Sequence, residues 1–449
     1  MILQDAIRVY HDLLTPALAA DTQGRLDQQQ ERHHLSFGDR PMCTVLRPRF
    51  LTSNQYRFLE QRVGLLLSAF ARVQRHALAV PSFRQQFGLR DWEEELLQIY
   101  EGYDCAYPTS RLDSFFVSED ELCFTEYNSE TPAGAAYNDV LSEVFLGLPI
   151  MREFRRRYRV LPLPARPGVL DALLTSYLEW SGRRELPTIA ILDWKEVPTY
   201  TEFLLFQEYF QNRGLHCVIA DPREVEFVDG QLRAGDVKID LIYKRVLISE
   251  LWERGGHNHP VLQALRARAV CMVNGFSCKM LYKKASFAVM TDEENAGLFT
   301  DEERKVIASH IPWTRRVSDR KTVHAGRTVD LLKHVRDHRE LFVLKPNDDY
   351  GGKGIVLGWT VSQGEWEQAI QVALADPYVV QQRINVPSEP FPSLVDGTLH
   401  VVDRMLDTNP YACHGQFMDG CLTRISTAAL LNVTAGGGST VPTFVIGTR

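Results

Sequence analysis

Apolar residues recur at three- and four-residue spacing from Met1 to about Leu97, as in Phe58, Val63, Leu66, Leu67 and Phe70, and this predicts amphipathic helices. A short β-rich piece, Cys43 to Leu46, interrupts them. From Arg111 to Asn128 the period changes to two on either side of the polar turn Ser118 to Glu121, the pattern of a hairpin. Helices are expected again from Asn138 to Tyr158. The proline-rich stretch Leu161 to Pro167 breaks the helical pattern and reads as a linker between lobes. Beyond it, apolar runs at Thr188 to Leu192, Leu215 to Ala220 and Ile239 to Val246 alternate with a helix over Tyr200 to Asn212, the order of an α/β unit with a mostly parallel sheet. A helix over Lys284 to Thr291 and the strand Leu341 to Lys345 follow. From about His400 antiparallel strands are expected, ending in Thr443 to Ile446.

The chain has 449 residues, more than one hydrophobic core usually serves, so several lobes around a cleft are expected. With 45% hydrophobic and 24% charged residues it is neither disordered nor fibrous. Fifty basic against 57 acidic residues give a net charge of -7, and no basic block is long enough to track a nucleic-acid backbone. The densest run, Arg152 to Arg159, reads as the solvated end of a helix. The eight cysteines (Cys43, Cys105, Cys123, Cys217, Cys271, Cys278, Cys413, Cys421) lack the spacing of a zinc knuckle or a redox pair. The first twenty residues carry Asp5, Arg8, His11 and Asp12, unlike a secretory leader, and no apolar run approaches the ~18 residues of a membrane span. The expectation is a cytoplasmic protein with neither nucleic-acid nor membrane partners.

Chemistry concentrates in the hairpin. If Val117 opposes Leu122, Asp113 lies opposite Glu126 and Arg111 opposite Asn128, so all four polar side chains share a face. Two carboxylates and an amide at that distance suit Mg²⁺, which takes oxygen ligands and relieves the carboxylate repulsion. A solvent-exposed face with Arg111 as an ordinary ion-pair partner fits the spacing equally well. Further on, Lys345 ends an apolar strand and precedes Tyr350-Gly351-Gly352-Lys353-Gly354, where glycine lets backbone N–H groups approach phosphate. A P-loop is excluded because Lys353 leads into a β run, not a helix. Taken alone, a glycine-rich turn is the commoner explanation. Lys279, Lys283 and Lys284 cluster, and spacing does not choose which one enters a cleft.

Together these pieces resemble the circularly permuted ATP-grasp family, whose best-known relative is glutathionylspermidine synthetase. The matching residues are Arg111-x-Asp113, Glu126-Tyr-Asn128-Ser-Glu-Thr-Pro132-Ala-Gly134, Lys284-Ala285, Lys345-Pro346, Gly351-Gly352-Lys353-Gly354 and Gln381-Gln382, with a glycine-rich tail at Asn432 to Gly438. The carboxylates precede the lysines, the reverse of the ordinary ATP-grasp order.

The resemblance implies an α/β fold with α+β elements. Its parts would be an N-terminal helical region with the metal hairpin (1–160), a pre-ATP-grasp-like α/β lobe (168–275), a nucleotide-binding lobe (276–395) and a C-terminal β segment completing the ATP-grasp core (396–449). It implies that Lys284 and Lys345 contact the ATP phosphates, that Tyr350, Gly351, Gly352, Lys353 and Gly354 cover them, and that Gln381, Gln382 and Arg383 line the adenine. Asp113, Glu126 and Asn128 would hold Mg²⁺, and Arg111 would steady the transferring phosphoryl group. The implied activity is ATP- and Mg²⁺-dependent ligation of a small carboxylate to an amine through an acyl phosphate. The substrates expected are a small peptide, an amino acid or a polyamine. Rival readings are a non-catalytic ATP-binding regulatory module and a phosphotransferase.

On the substrate side, Lys244, Arg245 and Arg424 are candidates to bind a carboxylate or phosphate. Lys244 or Arg245 could instead pair with Glu250 or Glu253, and Arg424 could be an exposed hairpin arginine. Asp193-Trp194-Lys195 follows a strand of the α/β unit, where ligands often sit, although a surface connection is as plain a reading. His33, His34, His257 and His259 read as loop histidines. Phe203, Phe206, Tyr209 and Phe210 read as core.

Overall fold

The computed structural model describes residues 2–38, 40–118, 121–349, 351–427 and 438–448. Tyr350 and Asn432 to Gly437 of the tail lie outside the described residues. The chain adopts the expected mixed helix-and-sheet class.

Three larger sheets carry the fold. The first has nine strands and runs Ser388–Val395, Thr398–Leu406, Phe417–Ser426, Asn409–Cys413, Thr109–Phe116, Leu122–Asn128. Ser439–Thr448 branches from Phe417–Ser426 and pairs with Arg49–Thr52 and Tyr158–Pro162. The hairpin therefore shares a sheet with the C-terminal strands, and its outer strand, Leu122–Asn128, is an edge. Behind it lies the helix Ser53–Ala79, started by a capping box between Thr52 and Gln55. Of the predicted apolar positions Val63, Leu66, Leu67 and Phe70 are buried, while Leu59 takes the core place expected of the half-buried Phe58, and Phe70 packs on Tyr127 of the hairpin at 4.4 Å between ring centroids.

The second sheet is wholly parallel, in the order Cys271–Val273, Leu241–Lys244, Ile189–Leu192, Cys217–Ala220, as the alternating pattern predicts. Ile189 to Leu192 are all buried, as strands covered on both faces require. The aromatic residues Phe203, Phe206, Tyr209 and Phe210 of the helix Tyr200–Gln211 belong to the same core.

The third sheet is antiparallel, in the order Thr314–Arg316, Tyr378–Gln382, Phe342–Pro346, Val356–Leu357. Phe342, Leu344 and Val380 form a separate small core with Leu331, Val335, Trp366 and Ile370 of the helices that cover one face. By strand alternation, Val343, Lys345 and Gln381 point to the other face.

Three expectations change. Cys43 to Leu46 is not a strand: the Gln30 side chain takes the N–H of Cys43 at 2.8 Å and donates to its carbonyl at 3.0 Å, and the short strand lies later, at Arg49–Thr52. Leu161 to Pro167 is not a loose linker, because it ends the strand Tyr158–Pro162 and enters the helix Arg166–Ser181 with a proline in the first turn, where no N–H partner is lost. The helices expected over Asn138 to Tyr158 are Ala135–Gly147 and Pro149–Phe154, divided before Pro149, and they stop short of Tyr158, which begins a strand. The arginines at 152, 155, 156, 157 and 159 are exposed, as expected.

Candidate active site

In the hairpin Arg111 faces Asn128 and Asp113 faces Glu126, as the sequence suggests, but the register beside the turn differs from the expected one. Phe116, not Val117, opposes Leu122, and a register shift after Asp113, accommodating one extra residue at Thr125, restores the predicted pairs. Val117 N–H instead closes the turn on the Glu121 carbonyl at 2.7 Å. Asn274 fixes the base of the hairpin: its carboxamide donates to the carbonyls of Thr109 (2.7 Å) and Ser129 (2.8 Å) and accepts from Thr109 N–H (3.2 Å).

Asp113 is nearly buried, and its partners are guanidinium groups. Arg111 donates to it from Nε (2.7 Å) and Nη2 (3.1 Å), and Arg424 from Nη2 (2.7 Å). Burial alone would raise its pKa, but Arg111 and Arg424 outweigh burial and hold it at about 2. Arg424 is fixed in turn by Asp407, whose carboxylate accepts from its Nε at 2.6 Å, so this arginine is neither an exposed hairpin residue nor a free anion receptor. Arg111 Nη1 donates to the Ala133 carbonyl at 2.7 Å, so each of its three nitrogens has a partner.

Glu126 keeps more freedom. Its side chain is 27% exposed and stands 3.4 Å from the ammonium of Lys284. Asn128 Nδ2 is buried and unpartnered. Arg111, Asp113, Glu126, Asn128, Gly351 and Arg424 line one cavity of about 330 Å³. Glu126 and the Asn128 carboxamide are oxygen donors of the type Mg²⁺ uses, and Mg²⁺ typically needs only one or two carboxylates beside phosphate oxygens. No group of three or more His, Cys, Asp or Glu side chains among the described residues forms a denser metal cage, the four loop histidines included.

All three clustered lysines are buried, and only Lys284 turns to the carboxylate hairpin. Lys279 pairs with Glu130 (3.0 Å) and Asp348 (2.7 Å), and Lys283 with Glu93 (2.9 Å) and Asp348 (3.0 Å), which ties the loop after Lys345 to the helix Cys278–Tyr282. Burial would raise the Asp348 carboxyl, but these two lysines hold it far below its usual range. Lys284 Nζ also donates to the Asp349 carbonyl at 2.6 Å. Lys345 donates to Gln381 Oε1 at 2.7 Å and approaches the Thr125 carbonyl at 3.4 Å. Gly351, Gly352 and Gly354 have φ of 68°, 77° and 66°, a region that side chains other than glycine's disfavour, and a Cβ on Gly354 would meet Pro346 at 2.8 Å.

A second cavity, of about 840 Å³, is lined by Gln382, Arg383, Ile384 and Asn385 on one side and by Cys123, Met290, Phe299 and Trp313 on others. Gln381 is not among its lining residues. Its side chain is buried between Lys345 and Thr314 Oγ1 (3.0 Å), where it positions the lysine.

Of the substrate candidates, Lys244 is buried against the Glu130 carbonyl at 3.2 Å and Oε1 at 3.9 Å, and it lines neither cavity. Arg245 lines the smaller cavity and pairs with Glu202 at 2.9 Å, not with Glu250 or Glu253. Asp193 lines the same cavity, whereas Lys195 points outward to Glu224. The sequence reading did not single out Glu202, Glu130, Asn274, Asp348 or Asp407. Each acts on a partner distant in sequence, so periodicity carries no signal for it.

No protein-family model matches the chain. Among curated proteins it is 22% identical over 333 residues to a protein of Frankia casuarinae provisionally named glutamate–cysteine ligase 2-2, covering 70% of this chain. The chain spans little more than a third, 36%, of that relative. Among solved structures it shares its fold with the glutathione synthetase-like effector GSS30 of Globodera pallida, with a TM-score of 0.57 at 11% identity over 96% of this chain and 97% of the other. A protein of Methylobacillus flagellatus provisionally named γ-glutamylcysteine synthetase aligns over 88% of this chain and 89% of its own at a TM-score of 0.43 and 12% identity.

Proposed function

We propose that this chain is an ATP- and Mg²⁺-dependent carboxylate–amine ligase with a circularly permuted ATP-grasp cleft. The observation that carries the reading is one juxtaposition: Glu126 and Asn128 lie on the same cavity as the Arg111–Asp113–Arg424 set, while Lys284 and Lys345 approach that hairpin from the glycine-loop side. Cations on two sides of an oxygen-donor set suit a triphosphate and its metal.

In this reading the larger cavity takes the adenine against Gln382 and Arg383, and the glycine loop covers the phosphates. Mg²⁺, held by Glu126 and Asn128, would neutralise phosphate charge. Asp113 serves chiefly to aim Arg111 and Arg424, both of which face the γ-phosphoryl end. A substrate carboxylate attacks the γ-phosphorus, ADP leaves, and an amine displaces phosphate from the acyl phosphate. The enzyme positions reactants and balances charge, and no protein nucleophile is needed. The small-molecule carboxylate is sought first among glutamate and glutamyl peptides, a choice guided by the names of the relatives.

The test is incubation with Mg-ATP, hydroxylamine and a panel of amino-acid and peptide carboxylates, reading ADP release and ferric hydroxamate colour. ADP with hydroxamate supports the ligase. ADP without hydroxamate would indicate phosphotransfer to another acceptor, and nucleotide binding with neither product would indicate a regulatory module.

A further inference from the structure

The smaller cavity has a second end, at the parallel sheet. Ile189–Leu192 and Leu241–Lys244 run in parallel register with Leu192 beside Lys244, so the next residues, Asp193 and Arg245, leave the sheet side by side. Ligands of α/β sheets collect at this carboxyl edge. Both residues line the cavity. They carry opposite charges, yet among the described residues no ion pair joins them.

Each has polar atoms left over. Arg245 is 5% exposed and donates from Nη2 to Glu202 at 2.9 Å, while its Nε and Nη1 are buried without partners. Glu202 offsets this cation only in part, because its other oxygen accepts from the N–H groups of Gly134 (2.8 Å) and Ala136 (3.1 Å) at the start of the helix Ala135–Gly147. Two dry guanidinium donors cost free energy that a bound acceptor recovers. Asp193 is 7% exposed; its Oδ1 accepts from Trp194 N–H at 2.8 Å, and its Oδ2 has no hydrogen-bond partner among the described residues. Burial pushes the Asp193 carboxyl up to about 6, with Glu250 adding to the rise and Trp194 N–H, Arg245 and Lys244 opposing it. A cation with unused donors beside an anion with an unused acceptor matches a ligand group that carries both charges on neighbouring atoms.

The two ends of the cavity are close together. Arg111 donates to the Ala133 carbonyl, and Arg245 reaches the next N–H, that of Gly134, through Glu202. One peptide group and one carboxylate therefore link the arginine at the phosphoryl end to Arg245, a span for a single amino acid and not for a peptide.

We propose that this end of the cavity holds the head group of an α-amino diacid, with its α-carboxylate on Arg245 and its ammonium on Asp193, so that the side-chain carboxylate is the one presented for ligation. The inference rests on the ligase reading above and fixes its regiochemistry. A side-chain carboxylate oxygen attacks the γ-phosphorus; the new O–P bond forms as the bond to ADP breaks, and ADP takes the electron pair. A neutral amine nitrogen then bonds to the side-chain carbonyl carbon, phosphate leaves with the C–O electron pair, and the nitrogen loses one proton to solvent. The head group passes through both steps unchanged.

Calorimetric titration of the protein with Mg²⁺ and a non-hydrolysable ATP analogue tests the head site. Aspartate, glutamate and 2-aminoadipate span the possible lengths, and glutamate is expected to bind. Glutarate lacks the ammonium and 4-aminobutyrate the α-carboxylate, and each is expected to bind at least about tenfold more weakly than glutamate. Asp193→Asn is expected to weaken glutamate about tenfold and to leave glutarate unmoved, which also reports that the variant is folded. Arg245→Gln combined with Glu202→Gln, which removes both partners of the buried pair, is expected to weaken glutamate and glutarate but not 4-aminobutyrate. No binding of any of the three amino diacids to wild type, or equal weakening of glutamate and glutarate in Asp193→Asn, would overturn the head site. In turnover with hydroxylamine the expected product is the side-chain hydroxamate; an α-hydroxamate would overturn the head site and leave the ligase reading standing. Glutamate binding that follows the expected pattern without ADP release or hydroxamate would overturn the ligase reading and leave the head site standing.

Discussion

Lys345 gives the sharpest quantitative expectation. Burial lowers its pKa from 10.5 to about 8, with Lys284 adding to the fall while Glu126 and Asp113 oppose it. A folded value below the unfolded one means that the charged lysine is disfavoured in the free protein, by about 3 kcal/mol at 1.36 kcal/mol per unit. That cost is fully present below about pH 8 and fades as the pH rises to the unfolded value. A triphosphate would supply the missing counter-charge and raise the pKa again. At about pH 8 the free lysine is half protonated, so ATP binding should take up about half a proton; at about pH 6.5 it should take up almost none. Calorimetric titration of Mg-ATP in HEPES and in Tris, buffers of different ionisation enthalpy, measures this uptake directly. Lys345→Arg keeps a positive charge that does not titrate and should abolish the uptake at about pH 8. Equal uptake in wild type and Lys345→Arg, or tight ATP binding with no uptake at about pH 8, would show that Lys345 does not meet the phosphates.

Asp113→Asn leaves two clustered guanidiniums without their shared carboxylate and is expected to cost about 3–5 kcal/mol in urea unfolding. Since the Asp113 pKa is lowered to about 2, the stability it contributes is present above the unfolded value of 3.8 and lost as the pH falls through about 2, so the wild-type advantage should disappear in acid. Glu126→Gln, at a more open position, should abolish Mg²⁺-dependent ADP release while moving the unfolding midpoint by no more than about 0.5 kcal/mol. Asp348→Asn leaves Lys279 and Lys283 with one carboxylate each and should weaken ATP binding about tenfold by freeing the glycine loop, with faster amide exchange at residues 351–354 as the independent readout.

The elements with strong periodicity were legible in the sequence. The parallel sheet, the helix over Tyr200–Gln211 and the facing pairs Arg111/Asn128 and Asp113/Glu126 all follow from apolar spacing. The hairpin pairs were reached through a register that does not hold beside the turn, because a one-residue shift at Thr125 cancels the one-residue error at Val117. What periodicity could not show is where charged side chains find partners. Lys244, Lys279 and Lys283 look like Lys284 in one dimension, and only the approach of Glu130, Glu93 and Asp348 from distant segments makes them buried ion pairs. The family resemblance puts Gln381 and Gln382 together at the adenine, yet strand alternation sends the two side chains to opposite faces. Asp193 was visible as a strand-end carboxylate, but the cavity it lines is shared with Leu247, Glu250 and the hairpin, which are remote from it in sequence.

The carboxamide of Asn274 joins the end of the parallel sheet to the base of the carboxylate hairpin, at Thr109 and at Ser129 just beyond its second strand. Those two parts are thereby locked as one rigid jaw. The antiparallel sheet bearing Lys345 has its own small core and meets the helix Ala285–Thr291 through the short side chains of Ala285 and Ala288 against Val379. The same junction is crossed by the ion pairs of Asp348 with Lys279 and Lys283 and by Asn347, which accepts from the N–H groups of Lys284 and Ala285, so the lysine sheet is anchored there by buried polar contacts. Any opening for nucleotide exchange should therefore pivot the lysine sheet about that anchored corner and leave the geometry of Arg111, Asp113 and Arg424 undisturbed.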